Sequence, residues 1–192
     1  VSADGTPRSA GGRTAMGGGR MMAYCMECGT KLKDRFLKNE GMVPFCEKCK
    51  EYRFPVFSTA VSMEVLSPDR DKVLLIKQYG KDRYILVAGY INKGENAEHT
   101  VAREVMEEIG LHVDEIHFEK SEYFPATNTL MLNFSCVADS EDLSGMSEEE
   151  VDYCRWFSLE EAAEQIAEGS LAGKFLTHFL EEHHYSCGPD VR

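Results

Sequence analysis

One segment constrains this chain most, a 23-residue stretch with a fixed spacing of glycine, glutamate and arginine. From Gly89 to Leu111 it reads Gly-x5-Glu-x7-Arg-Glu-Val-x-Glu-Glu-x-Gly-Leu. At ordinary residue frequencies such a combination would arise by chance about once in 10⁸ to 10⁹ windows. The spacing therefore requires a physical explanation.

Three glutamates of this segment, Glu104, Glu107 and Glu108, share one face of a predicted helix. Their spacing of i, i+3 and i+4 makes them neighbours, so their repulsion destabilises the helix unless cations lie beside them. The only Lys or Arg of the helix is Arg103, which is adjacent in sequence and is expected to point away from that face. Oxygen ligands select Mg²⁺ or Mn²⁺, which share coordination with substrate phosphates. The pattern favours phosphoryl chemistry over the alternative, a solvated acidic face.

The expected chemistry assigns different roles to the side chains of this helix. Metals held by the glutamates would polarise phosphoryl oxygens and lower the pKa of a water, while a spare carboxylate accepts its proton. Arg103 is the candidate to orient a glutamate through a bidentate ion pair, with a purely structural salt bridge as the alternative. Val101, Val105 and Ile109 recur every four residues and are expected to anchor the helix to a sheet.

Two CxxC pairs, Cys25 with Cys28 and Cys46 with Cys49, lie near the N-terminus and are separated by 17 residues. This spacing is typical of a structural Zn²⁺ site with four thiolate ligands. Two disulfides or a redox dithiol are the alternatives. We expect a small zinc ribbon over residues 21–53.

Charge and hydropathy exclude several classes of protein. With 21 basic and 33 acidic residues the net charge is −12, which makes binding to duplex DNA through a broad basic face unfavourable. No apolar run is long enough for a membrane span and no secretory signal is visible, so a cytoplasmic protein is expected. Residues 1–20 are rich in Gly, Ser and Arg and are expected to be a disordered leader or sequence added for expression.

Residues 54–192 are expected to form the main domain, of the α/β class. Its predicted strands are 56–65, 73–76, 84–88, 113–118, 130–137 and 150–157. Its predicted helices are 97–109, 158–168 and 170–182, and Ser158 to Glu161 has the form of a capping box. This order predicts a mixed sheet with helices on both faces.

The segment from Gly89 to Leu111 resembles the signature of the Nudix hydrolases, and every fixed position matches. The resemblance covers nearly everything from Phe54 onward. It implies an α/β/α sandwich that cleaves a nucleoside diphosphate linked to another moiety, with Glu104, Glu107 and Glu108 as ligands of the divalent metal.

A four-cysteine ribbon followed by the aromatic-proline pair Phe54-Pro55 resembles the bacterial NADH pyrophosphatase subgroup of that family. This likeness implies that the Ala88 carbonyl and Glu150 are further metal ligands and that Tyr90 stacks on a substrate ring. A solvated loop end is the alternative for Glu150, and a core aromatic at a strand edge is the alternative for Tyr90. The other implied substrate contacts are Phe54, Glu122, Phe124, Thr129 and Met131.

The substrate loop departs from the subgroup hallmark S-Q-P-W-P-F-P-x-S, because residues 121–129 read SEYFPATNT. The missing Gln and Trp belong to the substrate-contacting loop, so selectivity for NADH is open while the metal chemistry is untouched. The leading expectation is cleavage of NADH or NAD⁺ to the nicotinamide mononucleotide and AMP.

Three alternatives remain for the function. One is an ADP-ribose or nucleoside-diphosphate-sugar pyrophosphatase, and another is a zinc-ribbon module that binds a nucleotide or RNA without turnover. The third is an enzyme whose ribbon grips NAD-capped RNA, and a homodimer is compatible with each. The basic residues that would contact RNA phosphates, or simply be solvated, are Lys31, Lys33, Arg35 and Lys38.

Overall fold

The computed structural model describes residues 23–183, and the chain divides into two compact units between Val56 and Phe57. The sequence placed this boundary three residues earlier, between residues 53 and 54. The predictions for residues 1–20 lie outside the described residues.

The smaller unit is built on a three-stranded antiparallel sheet, in the order β1 (Lys33–Leu37), β2 (Gly41–Cys46) and β3 (Glu51–Tyr52). Both CxxC pairs sit in the same kind of turn. The amides of Gly29 and Lys50 donate to the carbonyls of Cys25 and Cys46, each at 2.8 Å. Gly29 and Lys50 are both left-handed, with φ of 70° and 62°.

The larger unit contains one six-stranded mixed sheet, as the sequence predicted. The strand order is β7-β8-β4-β5-β9, and β6 also pairs with β4. Strands β4 and β8 are parallel and the other pairs are antiparallel. The strands are β4 (Ser58–Leu66), β5 (Lys72–Lys77), β6 (Val87–Tyr90), β7 (Val113–Phe124), β8 (Thr129–Ala138) and β9 (Tyr153–Ser158).

Three helices cover the two faces of this sheet: α1 (Ala97–Ile109), α2 (Leu159–Gln165) and α3 (Leu171–Glu182). Side chains alternate along the strands, so two apolar clusters form, one under α1 and one under α2 and α3. The predicted anchors of α1, Val101, Val105 and Ile109, are fully buried. Asn96 caps the start of α1, and Gly110 ends it with φ of 79°. Helix α1, which carries Arg103 and the three glutamates, is therefore held rigidly against the sheet.

Several elements differ in their bounds from the sequence prediction, among them β6 and β9, which begin three residues later than expected. Two of the differences have identifiable reasons. Strand β7 continues to Phe124, because register shifts between Asp114 and His117 and between Phe118 and Lys120 interrupt the alternation on which the prediction relied. Helix α2 ends at Gln165, since Ile166 turns extended and buries its side chain in the cluster under α3.

Among residues 23–183, the structure has no helix with the length and apolar character of a membrane span.

Candidate functional site

Arg103 lies among the carboxylates of the segment from Gly89 to Leu111, so the expectation that it points away from the glutamate face was wrong. Its Nε and Nη2 atoms donate to the two carboxylate oxygens of Glu95, at 2.9 and 3.1 Å. Its Nη1 atom lies 2.9 Å from Glu104 and 2.7 Å from Glu107. The long side chain reaches back over the first turn of α1, a direction that sequence adjacency does not reveal. The bidentate pair lowers the pKa of Glu95 to about 2.

Gly89 gives the carboxylate of Glu104 the space it occupies. A Cβ atom at Gly89 would lie 1.9 Å from the carboxyl carbon of Glu104, so any other residue would displace that side chain. Glu104 is only 9% exposed, and burial raises its pKa although Arg103 opposes the shift. The glycine of strand β6 and the first glutamate of the triplet thus form one contact.

Glu108 is the most deeply buried acid of α1. Gln78 hydrogen-bonds its carboxyl group, while the Oε2 atom is buried without any partner. Burial raises the pKa of Glu108 to about 8. A buried oxygen without a donor fits a hard cation, which is what the oxygen-only donor set would bind. Sequence reasoning missed Gln78, whose signal was a polar residue two positions after the apolar run 73–76 of β5.

Glu150 approaches the same carboxylates from a distant loop. Its negative charge raises the pKa of both Glu104 and Glu108, although its own side chain is exposed. The loop is held at the end of α1, because the Ser147 amide donates to the Glu108 carbonyl at 2.9 Å. Ala88, the other implied ligand, is half-buried beside Gly89.

The implied substrate contacts are only partly brought together. Tyr90, Met131 and Glu122 share one row of the sheet, joined through Ala60. Tyr90 is 57% exposed, so it is not a core residue. Met131 packs against the cluster under α3, whereas Glu104 lies on the α1 side.

The remaining contacts are more scattered. Glu122 pairs with Lys174 at 3.0 Å and lines a groove of about 590 Å³ that contains none of the α1 carboxylates. The prediction that Thr129 contacts the substrate was wrong. Thr129 is 1% exposed and its hydroxyl is hydrogen-bonded to that of Thr127, so the hydroxyl is not open to a substrate. Phe124 and Phe54 are exposed, the latter in the smaller unit.

The four cysteines of the smaller unit converge on one point. Their Sγ atoms all lie within 4.8 Å of one another, and no other set of three or more His, Cys, Asp or Glu in the described part of the chain does so. The Sγ separations of 4.0 Å from Cys25 to Cys49 and 3.5 Å from Cys28 to Cys46 bracket the roughly 3.8 Å edge of a tetrahedron with Zn–S bonds of about 2.3 Å. These distances exclude disulfides in this structure.

Arg53 stabilises charge in the cysteine cluster. Its Nε atom donates to the Cys25 sulfur at 3.3 Å and lowers the pKa of that thiol to about 6. The neighbouring Cys28 raises the pKa of Cys49 to about 12. Thiols forced this close favour a divalent cation that would deprotonate them.

The chain is similar to several known proteins. The NUDIX domain profile matches residues 57–179. The NAD-capped RNA hydrolase NudC of Pseudomonas aeruginosa is 29% identical over 168 residues, covering 86% of this chain and 58% of that protein. The human NAD-capped RNA hydrolase NUDT12 is 26% identical over 181 residues, covering 88% of this chain and 39% of that protein.

A solved structure resembles the chain over most of its length. The crystal structure of a NUDIX hydrolase from Nitrosomonas europaea has a TM-score of 0.64 and 22% identity, covering 86% of this chain and 94% of that one. The present chain thus spans about three fifths of the length of the bacterial NudC relatives, 58% in Pseudomonas aeruginosa.

Proposed function

The chain belongs to the Nudix family, and from that premise we propose that it is a divalent-metal-dependent pyrophosphohydrolase of nucleotide derivatives. The proposed reaction converts NADH or NAD⁺ to the nicotinamide mononucleotide and AMP. The observation that carries the metal-dependent hydrolysis is the buried Glu108 oxygen without a partner, beside Glu104 and Glu107. Ala88 and Glu150 complete the proposed ligands for Mg²⁺ or Mn²⁺.

The residues around α1 can serve this hydrolysis in distinct ways. A divalent cation, when bound, neutralises phosphoryl charge and lowers the pKa of water. A water oxygen forms a bond to one phosphorus, the bond from that phosphorus to the bridging oxygen breaks, and two phosphate monoesters leave. A glutamate of the triplet accepts the proton of the water. Arg103 holds Glu95, Glu104 and Glu107 in place, as its three ion pairs imply.

The names of the relatives support a substrate of the NAD type. Two of them are described as NAD-capped RNA hydrolases, which makes the capped 5′ end of an RNA a second candidate substrate. The exposed Lys33 and Arg35 on strand β1, with Lys31 and Lys38 beside them, are the proposed phosphate contacts. Tyr90 and Phe124 are proposed to contact the rings of the substrate, and the cysteine cluster is proposed to hold structural Zn²⁺.

Product analysis tests the reaction directly. Purified protein with Mn²⁺ is incubated in H₂¹⁸O with NADH, ADP-ribose and an NAD-capped oligonucleotide, and products are identified by mass spectrometry. Cleavage of the diphosphate yields a nicotinamide mononucleotide and AMP from NADH, with one ¹⁸O in one of them. If only ADP-ribose yielded products, ADP-ribose would replace NADH as the proposed substrate. If the wild type, like the Glu108→Gln variant, released no product from any of the three compounds, the proposal would be overturned.

A further inference from the structure

The turn that follows strand β5 has an unfavourable residue at its tip. Lys81 N donates to Gln78 O at 3.2 Å, and Tyr79 and Gly80 between them have φ of 58° and 65°. Positive φ at both central positions is the mark of a type I′ turn, where Asn, Asp or Gly is normally found first. A tyrosine at that position is strained. The turn conformation by itself therefore does not explain a tyrosine at this position.

One hydrogen bond joins this turn to Glu108, and two more join it and the end of β5 to the segment that carries Glu150. The carboxylates of Glu104, Glu107, Glu108 and Glu150 are called the acidic centre below. Gln78 is buried and hydrogen-bonds Glu108. The Gly80 amide donates to Asp152 at 2.7 Å, and the Asp152 amide donates to Lys77 O at 2.9 Å. Asp152 lies two residues after Glu150, whose charge acts on Glu104 and Glu108. The tip of the turn is therefore at the rim of the carboxylates.

The side chains of the turn suit a nucleotide. Tyr79 is 80% exposed, the largest value among the exposed large apolar side chains of the described residues. Residues 57–183 contain 10 Lys and Arg against 26 Asp and Glu, yet three of those bases are Lys77, Lys81 and Arg83. Lys77 pairs with Asp82, whereas Lys81 and Arg83 are exposed without an ion pair among residues 23–183. An aromatic ring thus stands beside free cations in an otherwise acidic unit.

We propose that the turn from Gln78 to Lys81 is a nucleotide-recognition element, in which the Tyr79 ring stacks on a substrate base and thereby contributes to the affinity for nucleotides. The inference rests on the proposed hydrolase function and extends it to a residue outside the metal segment. Base stacking on aromatic side chains is sequence-tolerant and contributes substantially to binding. The stacked base belongs equally to the ground state and the transition state, so its effect should lie in KM.

The substitution Tyr79→Asn separates recognition from folding. Asn tolerates the left-handed region, so the variant should be at least as stable as the wild type in urea unfolding. With NADH and Mn²⁺, KM should rise about tenfold while kcat changes less than about twofold. Tyr79→Phe keeps the ring and should therefore have the same KM as the wild type. Arg70→Asn, another exposed left-handed position at the opposite end of β5, is the matched control and should leave KM unchanged.

A binding measurement separates failure of this inference from failure of the hydrolase proposal. AMP binding by calorimetry in the presence of Mn²⁺ needs no turnover, and Tyr79→Asn should weaken it about tenfold while Tyr79→Phe does not. Equal AMP affinity and equal KM in wild type and Tyr79→Asn would overturn the role of Tyr79. A wild type that binds AMP through Tyr79 but releases no product from any diphosphate would leave this inference standing and remove the hydrolase proposal.

Discussion

The four cysteines of the smaller unit come from two short turns, whereas the acids of the larger unit come from a loop, a helix and a distant segment. Cysteine spacing within each turn places two sulfurs side by side by local geometry alone. The acidic centre instead needs Arg103 between Glu104 and Glu107, a glycine against Glu104, and Glu150 from 42 residues beyond Glu108.

The two centres also differ in how they handle charge. The cysteine cluster holds two thiols with a lowered pKa, Cys25 beside Arg53 and Cys28 beside Thr30. The charge of the unit around it is nearly balanced, with seven basic and five acidic residues in 23–56. The acidic centre buries a carboxyl whose pKa rises to about 8 within a strongly acidic unit. In this protein the four thiols come together within the smaller unit, whereas the burial of Glu108 depends on the core of the larger unit.

Loss of one cysteine should have the largest effect. Cys46→Ser removes a proposed ligand of a metal whose binding supplies about 10 to 16 kcal/mol to zinc-dependent folds. We expect zinc content to fall from one ion per chain to none and hydrogen-exchange protection to vanish in β1 and β2 but not in β4 and β8. Mass spectrometry measures both. The exposed neighbour substitution Glu47→Ser is the control, and a Cys46→Ser protein with full zinc and protection would contradict the expectation.

Neutralising an acid of α1 should abolish turnover and spare the fold. Glu108→Gln or Glu107→Gln is expected to lower kcat by a factor on the order of 10³, because the proposed metal loses a charged ligand. The pKa of Glu108 is already raised, so its neutral replacement should leave the thermal midpoint equal or higher. Steady-state kinetics and calorimetry check both effects. Glu98→Gln, an exposed acid in the first turn of α1, should leave kcat unchanged and lower the thermal midpoint only slightly, because it removes a charge that favours the helix N-terminus. Retained hydrolysis in both test variants would refute the assignment.

Glu64 shows what burial does to a carboxyl outside the acidic centre. It is fully buried on β4, where Asn133 Nδ2 lies 3.1 and 3.3 Å from its oxygens, and burial raises its pKa to about 8. Its contribution to stability is complete below about pH 4.5 and is lost as pH rises towards 8.

Glu64→Gln should therefore remove that loss, and its new amide can also donate to the unpaired Asn133 Oδ1. At pH 8.5 we expect the variant to be more stable by roughly 2 kcal/mol, with turnover unchanged. Urea unfolding between pH 5 and 8.5 measures the difference. Parallel pH profiles in the two proteins would argue against a neutral Glu64.

The smallest expected effect is the gain in stability when the backbone strain of the second cysteine turn is relieved at Lys50. Lys50 adopts the left-handed conformation that Gly29 adopts in the first turn. Lys50→Gly should stabilise the smaller unit by about 0.5 to 1 kcal/mol, because it relieves backbone strain at the expense of chain entropy. Its ion pair with Glu47 is exposed and contributes little. The zinc affinity of Lys50→Gly, measured by competition with a chelator, should be a few fold higher than that of the wild type. Gly29→Ala, the opposite change in the first turn, should lower the zinc affinity. A lower zinc affinity for Lys50→Gly would show that the second turn is unstrained.

Much of the fold could be predicted because it depends on local patterns. The bounds of α1 agree with the sequence at both ends, since Asn96 and Gly110 mark them chemically. The end of β7 could not be predicted, because its bulges are set by pairing with β8. The position of Arg103 and the role of Gln78 also escaped prediction, since both depend on segments that meet only after folding.

The sequence by itself determined which side chains are available to the two proposed metal sites: four thiols at the spacing typical of zinc sites and three acids on one helix face. Those follow from residue type and helical or turn periodicity, which act over a few residues. Only the tertiary structure decided that Glu108 keeps an unpartnered oxygen, that Glu150 joins it, and that Tyr79 stands at the rim. Burial and long-range contacts decide such features, and they depend on which strands become neighbours rather than on any local pattern.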